Sequence, residues 1–485
     1  MEERNLVQTL DSIEEYEREP VPEKKLKGWK SFVGMYAGEH TAGTEFVIGP
    51  LFIVHGVSAV ELIGGLLVGN VLAVLSWVLL CAPIATKTRV TLYYKLEKIC
   101  GRKLVSFYNL VNGIMFCFLA GSMIAVSATA VGIPFNLPMP ELNDWLPTSV
   151  GWIIAVFAIG AVITVVAMLG YDYVARFANV AAPWMILVFV AAGVAVLPEL
   201  GVHSISDFWT VAQEKIWVGA TASNVNKFTF WHVMFFAWFA NMAMHIGMAD
   251  MSIFRYAKKS QYGFASAAGM FVGHFIAWLA ASILYAVVLV RIVPEGMQVA
   301  EFLPTITNEQ MPSVAPGPLA YNATGLAGAL CVIIAGWTTA NPTIYRAGLA
   351  IQGMFPSSKR WKVTLIVGLI TTIAACFPAL VMKLLEFVAL YGLLLMPMGA
   401  IIFIDFYILP KLGLQQDYAL KHNIRFSWAA AITWIATLGL CLLMNINFGV
   451  EIFFLGLPGW FLAALLYIIC SKIYQRKSAL STAKL

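Results

Sequence analysis

The chain has 485 residues, of which 60% are hydrophobic and only 12% charged, and its formal net charge is +5 at neutral pH. Soluble globular chains carry about a quarter charged residues, so this composition excludes a soluble enzyme and points to a polytopic membrane protein. A hydrocarbon core of roughly 30 Å needs about 20 apolar residues per crossing, which leaves room for about twelve spans and none for a large extramembrane catalytic domain.

Residues 1–28 hold an acidic run, Glu14-Glu15-Tyr16-Glu17-Arg18-Glu19, and then Lys24, Lys25 and Lys27. That order is not the architecture of a cleaved signal peptide, and its polarity predicts a disordered cytoplasmic tail. Hydropathy then predicts spans near 30–56, 58–82, 104–133, 150–170, 177–197, 228–254, 262–293, 321–353, 361–382, 384–409, 426–446 and 449–472. With the N-terminus inside, all 31 Lys and Arg residues except Lys215, Lys227, Arg291 and Lys383 fall in inside segments, Arg255 and Arg346 among them. The bias supports an even number of crossings and places both termini in the cytoplasm of an integral protein of the inner or plasma membrane. The seven cysteines lie mostly in apolar runs without metal-ligand spacing and read as buried small hydrophobes. The partners expected are the lipid bilayer and a small molecule, with no nucleic acid, since no basic stripe carries interleaved aromatics. A monomer is expected.

The first span reads Ser31-Phe-Val-Gly34-Met-Tyr-Ala-Gly38-Glu39-His40-Thr41-Ala42-Gly43-Thr44-Glu45. Two carboxylates at membrane depth mark a functional site, and the glycines predict an unwound centre around Gly38–Gly43, with Glu39 and Ala42 as substrate contacts. The alternative is a glycine-packed interface with Glu39 protonated. In the sixth span, Trp238, Asn241 and His245 recur at helical spacing and would put an aromatic plate, an amide and an imidazole on one stripe, suited to a flat heterocycle. A core role explains Trp238 equally well, and Asp250 is expected to pair with Arg255. His274 reads as structural or interfacial. The proline-rich segments Pro134–Pro147 and Pro294–Pro318 are outer loops, the longer one a candidate lid.

Spans one and six lie five apart and run in opposite directions, as an inverted five-helix repeat requires, and matched broken helices point to a binding site at the midplane. The repeats are taken as 29–200 and 201–410, followed by two additional helices over 411–472 and a tail, 473–485. In the eighth span, Pro342 cannot donate to the Thr338 carbonyl, so a freed oxygen lies beside the hydroxyls of Thr338 and Thr339. Hard oxygen donors suit a small cation such as Na⁺. A plain proline hinge is the competing explanation.

The paired threonines after Trp337, Gly69-Asn70 in the second span and Phe403-Ile404-Asp405-Phe406-Tyr407 closing the tenth resemble the nucleobase:cation symporter-1 family, which includes cytosine and purine permeases and a hydantoin transporter. The resemblance implies the leucine-transporter fold: an all-α polytopic membrane protein of twelve transmembrane helices, as two inverted five-helix repeats plus two extra helices, working by alternating access. It implies a sodium ion held by carbonyls of Gly38, Thr41 and Ala335 and hydroxyls of Thr338 and Thr339, with H⁺ as the other coupling ion. No cofactor and no further metal are implied. Where the family carries an amide and then a tryptophan in the third helix, this chain has Asn112 and then Met115-Phe116, so stacking falls to Phe116 or Trp238. Asn341 lies near a family asparagine, with helix capping as its alternative.

The leading expectation is cation-coupled import of a nucleobase or related nitrogen heterocycle. The alternative is transport of a metal or organic cation, suggested by Glu39, His40, Met242, Met244 and His245 near the breaks. An enzyme is not expected: the seven histidines never form H-E-x-x-H, and no nucleophile motif appears.

Overall fold

Long apolar segments can cross a bilayer only if their amides bond internally, and helices are what these segments form. The computed structural model describes residues 6–11, 13–135, 137–140, 144–312, 315–380 and 383–482. Among them, nine helices are long and apolar enough to span a membrane. They are Ala59–Thr88 (span 2), Arg102–Phe135 (span 3), Val150–Met168 (span 4), Tyr171–Leu200 (span 5), Ser260–Val290 (span 7), Leu326–Met354 (span 8), Phe387–Ile408 (span 10), Trp428–Phe448 (span 11) and Ile452–Arg476 (span 12). Span 9 is the shorter Arg360–Ala375. Spans 1 and 6 are interrupted, the first as Trp29–His40 and Glu45–Val54, the sixth as Phe230–Phe239, Met242–His245 and Met251–Phe254.

Local sequence sets several boundaries. Ser58 and Glu61 form a reciprocal capping box at the start of span 2. Span 5 begins at Tyr171, earlier than hydropathy suggests, because Gly170 turns the chain with φ +85°. Span 8 packs along span 3, span 5 along the first half of span 1, and span 7 along its second half, while spans 11 and 12 pack on each other and on span 10. Glycine permits the closest approaches: a Cβ at Gly273 in span 7 would lie 2.5 Å from the His40 carbonyl oxygen. The longer proline-rich segment is packed rather than loose, with Leu303 fully buried and Asn308 donating its amide to the Asn224 side chain. Of the shorter one, residues 136 and 141–143 lie outside the described residues.

The expected disordered tail departs most from the structure. Residues 1–5 and 12 lie outside the described set, but Leu6–Asp11 is helical and Glu15 is buried. Its carboxylate accepts from the Tyr171 amide (2.9 Å) and from the Tyr256 and Tyr345 hydroxyls (2.7 Å each). Arg255 lies 3.5 Å from the same carboxylate and donates to the Tyr16 carbonyl (2.8 Å), so it is a buried tether, and the expected Asp250–Arg255 pair does not form. Asp405 does find a basic partner in the helix between spans 2 and 3: Lys95 lies 3.2 Å away and also bonds Asp417 at 2.6 Å. Burial pushes the Lys95 ammonium down, but the two carboxylates outweigh it and hold its pKa above the ordinary lysine value.

Candidate substrate and cation site

The first helix keeps its ladder as far as His40 and then opens. Thr41 has φ −99° and ψ 61°, and its amide makes the last helical bond, to Ala37. The break therefore covers Thr41–Thr44, toward the far end of the expected Gly38–Gly43 stretch. The sixth helix loosens twice. It stops at Phe239, with Asn241 at φ −114° and ψ 19°, and beyond His245 the bonds lengthen to Ala249 N–Ala243 O and Asp250 N–Met244 O. Met248 takes φ +63°, a left-handed conformation that costs a side-chain-bearing residue about 1 kcal/mol.

The two breaks face a cavity of about 80 Å³. Glu39, His40, Ala42, Thr44 and Glu45 line it from span 1, Phe236, Asn241 and Met244 from span 6, and His274 and Trp278 from span 7. Thr339 and Thr343 of span 8 and Tyr391 of span 10 complete the polar wall. The His274 ring stacks on Trp278 with centroids 4.4 Å apart, and Trp278 Nε1 donates to the Glu45 carboxylate. His40 donates Nδ1–H to the Tyr36 carbonyl (2.9 Å), and its Nε2 lies 3.2 Å from the Asn241 side-chain amide. That amide is 3.4 Å from His274 Nδ1, so flat rings and hydrogen-bonding edges alternate around the space.

Glu39 reaches the cavity but is not free for a substrate cation. Arg346 of span 8, wholly buried, holds it through Nη1–Oε1 at 2.5 Å and Nη2–Oε2 at 3.2 Å. The same guanidinium bonds Asp250 at 2.6 Å, and Asp250 also accepts from the Tyr36 hydroxyl (2.5 Å) and Trp77 Nε1 (2.7 Å). Arg346 is thus no loop cation: it ties spans 1, 6 and 8 together directly beneath the cavity.

Of the expected substrate contacts, Glu39, Ala42 and Asn241 line the cavity, whereas Asn112, Phe116, Trp238, His245 and Asn341 are not among its lining residues. Asn112 donates to the Tyr93 hydroxyl (3.3 Å), and Phe116 sits behind Tyr391 with ring centroids 4.8 Å apart. The proposed stripe of Trp238, Asn241 and His245 fails because it presumes one continuous helix. With the helix interrupted after Phe239, Trp238 turns to Ser76 (3.0 Å), and His245 bonds the Trp238 carbonyl (3.1 Å) against the Trp77 ring. Asn341 is buried with both side-chain polar atoms lacking a partner, so it caps nothing. Sequence reasoning passed over Arg346, His274, Trp278 and Tyr391. The one signal for His274 and Trp278 is their spacing of four, which puts both on one helix face.

Of the expected cation ligands, Ala335, Thr338 and Thr339 share one turn of span 8 that meets the broken end of span 1, whereas the Gly38 and Thr41 carbonyls are not brought to them. Thr339 Oγ1 lies 2.9 Å from the Glu39 carbonyl of the broken helix and 3.0 Å from the Ala335 carbonyl, and Thr338 Oγ1 lies 2.9 Å from that carbonyl as well. An all-oxygen set of two carbonyls and two hydroxyls fits a hard monovalent cation. The carbonyl facing Thr339 belongs to Glu39, one residue past the expected Gly38, and the Thr41 hydroxyl is bonded to Ala37 (2.7 Å). Among the described residues, no three His, Cys, Asp or Glu side chains are grouped as a transition metal would require.

Neither a protein-family profile nor the sequence of any curated protein matches the chain. Solved structures do. A nucleobase-cation-symport-1 family transporter, in a closed conformation with bromovinylhydantoin bound, superposes with a TM-score of 0.67 at 14% identity, covering 94% of this chain and 95% of that one. A Na⁺-coupled sialic acid symporter gives 0.65 at 14% identity over 92% and 89%, and a manganese transporter of Eremococcus coleocola gives 0.55 at 11% over 95% and 98%. The resemblance carried by the threonine pair and the broken spans therefore extends through nearly the whole backbone, and the chain is an integral membrane protein with the leucine-transporter fold.

Proposed function

We propose that this protein is a cation-coupled symporter that imports a nucleobase or related small nitrogen heterocycle by alternating access. The observation that carries the proposal is the meeting of both broken helices at one cavity, with Thr339 bridging the break in span 1 to span 8. Trp278, Phe236 and Tyr391 offer flat faces for an aromatic ring, while Asn241, His40, His274 and Thr343 offer donors and acceptors for its edge. Na⁺ is the coupling ion best suited to the ligands: the carbonyls of Glu39 and Ala335 and the hydroxyls of Thr338 and Thr339 would hold it. Its positive charge would stabilise the opened carbonyl end of the first half-helix, and so favour the shape of the break that a substrate meets.

This assignment links the ion to the substrate without direct contact, because Glu39 contributes its carbonyl to the ion site and its side chain to the cavity wall. The likeness to the hydantoin-bound transporter and the sialic acid symporter supports small-molecule cargo. Metal transport has support in the likeness to the manganese transporter, but among the described residues no three His, Cys, Asp or Glu side chains are grouped to hold a metal. Replacing Thr339 by Ala removes one ligand and is expected to abolish Na⁺-dependent heterocycle uptake in proteoliposomes. Undiminished uptake by that variant at low Na⁺ would refute the cation assignment.

A further inference from the structure

Away from the central cavity, the turn between the Leu92–Cys100 helix and span 3 is sewn to the segment before span 11. Lys103 N bonds the Arg425 carbonyl (2.8 Å), and Ser427 N bonds the Cys100 carbonyl (2.9 Å). Gly101 makes this possible: its φ is +81°, and a Cβ there would sit 2.5 Å from the Ile424 carbonyl oxygen. The stitched segments border an open chamber of about 770 Å³ lined by Arg18, Lys98, Arg102, Lys103 and Arg425, with Glu97 its one carboxylate. Glu97 is fully engaged by Arg18, through bonds of 2.6 and 2.8 Å. The other four cations make no ion pair among the described residues.

Lys98 lies over the Tyr94 ring (4.8 Å) and the other three cations are exposed, so all four can turn to an anion in the chamber, and what continues from the chamber says which kind. One turn past Ser106, which lines the chamber, Leu110 begins an apolar groove of about 380 Å³ between spans 3, 8 and 9. Met354 of span 8 lines the chamber, and its neighbours Ile351 and Phe355 line the groove. Ile114, Ile366 and Ile370 face outward along the groove, 46%, 59% and 53% exposed. Gly113 deepens it, since a Cβ there would strike Ile351 at 2.4 Å. From Arg102 to Phe118 the helix rises roughly 24 Å, which is the scale of an acyl chain.

We infer that chamber and groove together form a binding site for one anionic phospholipid, its phosphate among Lys98, Arg102, Lys103 and Arg425 and one acyl chain along Leu110, Ile114 and Ile370. A soluble anion would need the chamber alone, whereas a zwitterionic lipid brings its own ammonium to the same cations and so gains less than an anionic one. The site lies on the face formed by spans 3, 8 and 9, and its occupancy is independent of what the central cavity carries.

Native mass spectrometry of the full-length protein, given equimolar phosphatidylglycerol and phosphatidylcholine, tests this. The expected result is at least a fivefold preference for phosphatidylglycerol in the unaltered protein, lost when Lys98→Gln, Arg102→Gln, Lys103→Gln and Arg425→Gln are combined. Arg425→Gln alone, on an exposed side chain whose main chain makes the stitching bond, lowers the preference at least twofold and covers the case in which the fourfold variant does not fold. Ile114→Trp, filling the groove, lowers retention of phosphatidylglycerol. Equal retention of the two lipids by the unaltered protein would overturn the inference. So would displacement of phosphatidylglycerol by millimolar inorganic phosphate, or unchanged retention in Ile114→Trp, either of which would mark a soluble-anion chamber instead.

Discussion

On the side of the cavity that faces the N-terminal segment, spans 1, 6 and 8 are held by Arg346 between Glu39 and Asp250, and then by Glu15 against Arg255 and two tyrosines. On the opposite side, Phe52, Phe236 and Trp278 pack as tilted and edge-on rings, and the polar links between spans 1 and 7 include Ser282 donating to the Gly49 carbonyl (2.7 Å) and Trp278 Nε1 donating to the Glu45 carboxylate. The difference teaches how each side can part. Apolar rings separate gradually, losing area as they go, whereas buried ions lose most of their compensation as soon as one partner leaves. The ionic side is therefore the one whose opening must be concerted, with water or a replacement partner arriving as the ions separate.

Substitutions should expose that contrast. The largest effect is expected for Arg346→Gln, which strands two buried carboxylates and should cost about 3–5 kcal/mol in thermal or denaturant unfolding. Adding Glu39→Gln should restore part of that loss, and a single-variant cost below about 1 kcal/mol would show that the ionic side is not held by this triad. Next comes Glu15→Gln, which keeps the shape but removes the charge that Arg255 and the tyrosines share; about 2 kcal/mol is expected. Proteolysis should then cut the N-terminal segment faster, and unchanged cleavage would contradict its role as a tether. The smallest effect belongs to the apolar side: Ser282→Ala removes one hydrogen bond and should cost about 1 kcal/mol. A cost equal to that of Arg346→Gln would erase the distinction between the two sides.

The same contrast marks what the sequence could disclose. Span number and the two interrupted helices were legible because glycines, carboxylates and Pro342 violate the monotony of a lipid-facing helix within a few residues of one another. The threonine pair was legible for the same reason, since Ala335, Thr338 and Thr339 share one helical turn. The ionic side was not. Arg346 and Glu39 are 307 residues apart, and nothing near either names the other. Counting Arg346, Arg255 and Lys95 as loop cations hid three buried tethers. Residues 13–28 look disordered by composition because the partners that bury Glu15 lie beyond position 170. The Trp238–His245 stripe failed for a related reason: helical spacing places side chains on one face only while the helix is continuous, and this one opens between them.

Under the proposed function, a heterocycle and Na⁺ meet at the joined breaks of spans 1 and 6. Thermal unfolding of the purified protein, with a panel of nucleobases and related heterocycles in Na⁺ and in choline buffer, tests it most directly. A ligand at about 100 times its Kd should add roughly 2.7 kcal/mol to the native state. Stabilisation by at least one heterocycle is expected, larger in Na⁺ than in choline, with the Na⁺ increment absent in Thr339→Ala. Stabilisation by a divalent metal, with no heterocycle effective in either buffer, would contradict it.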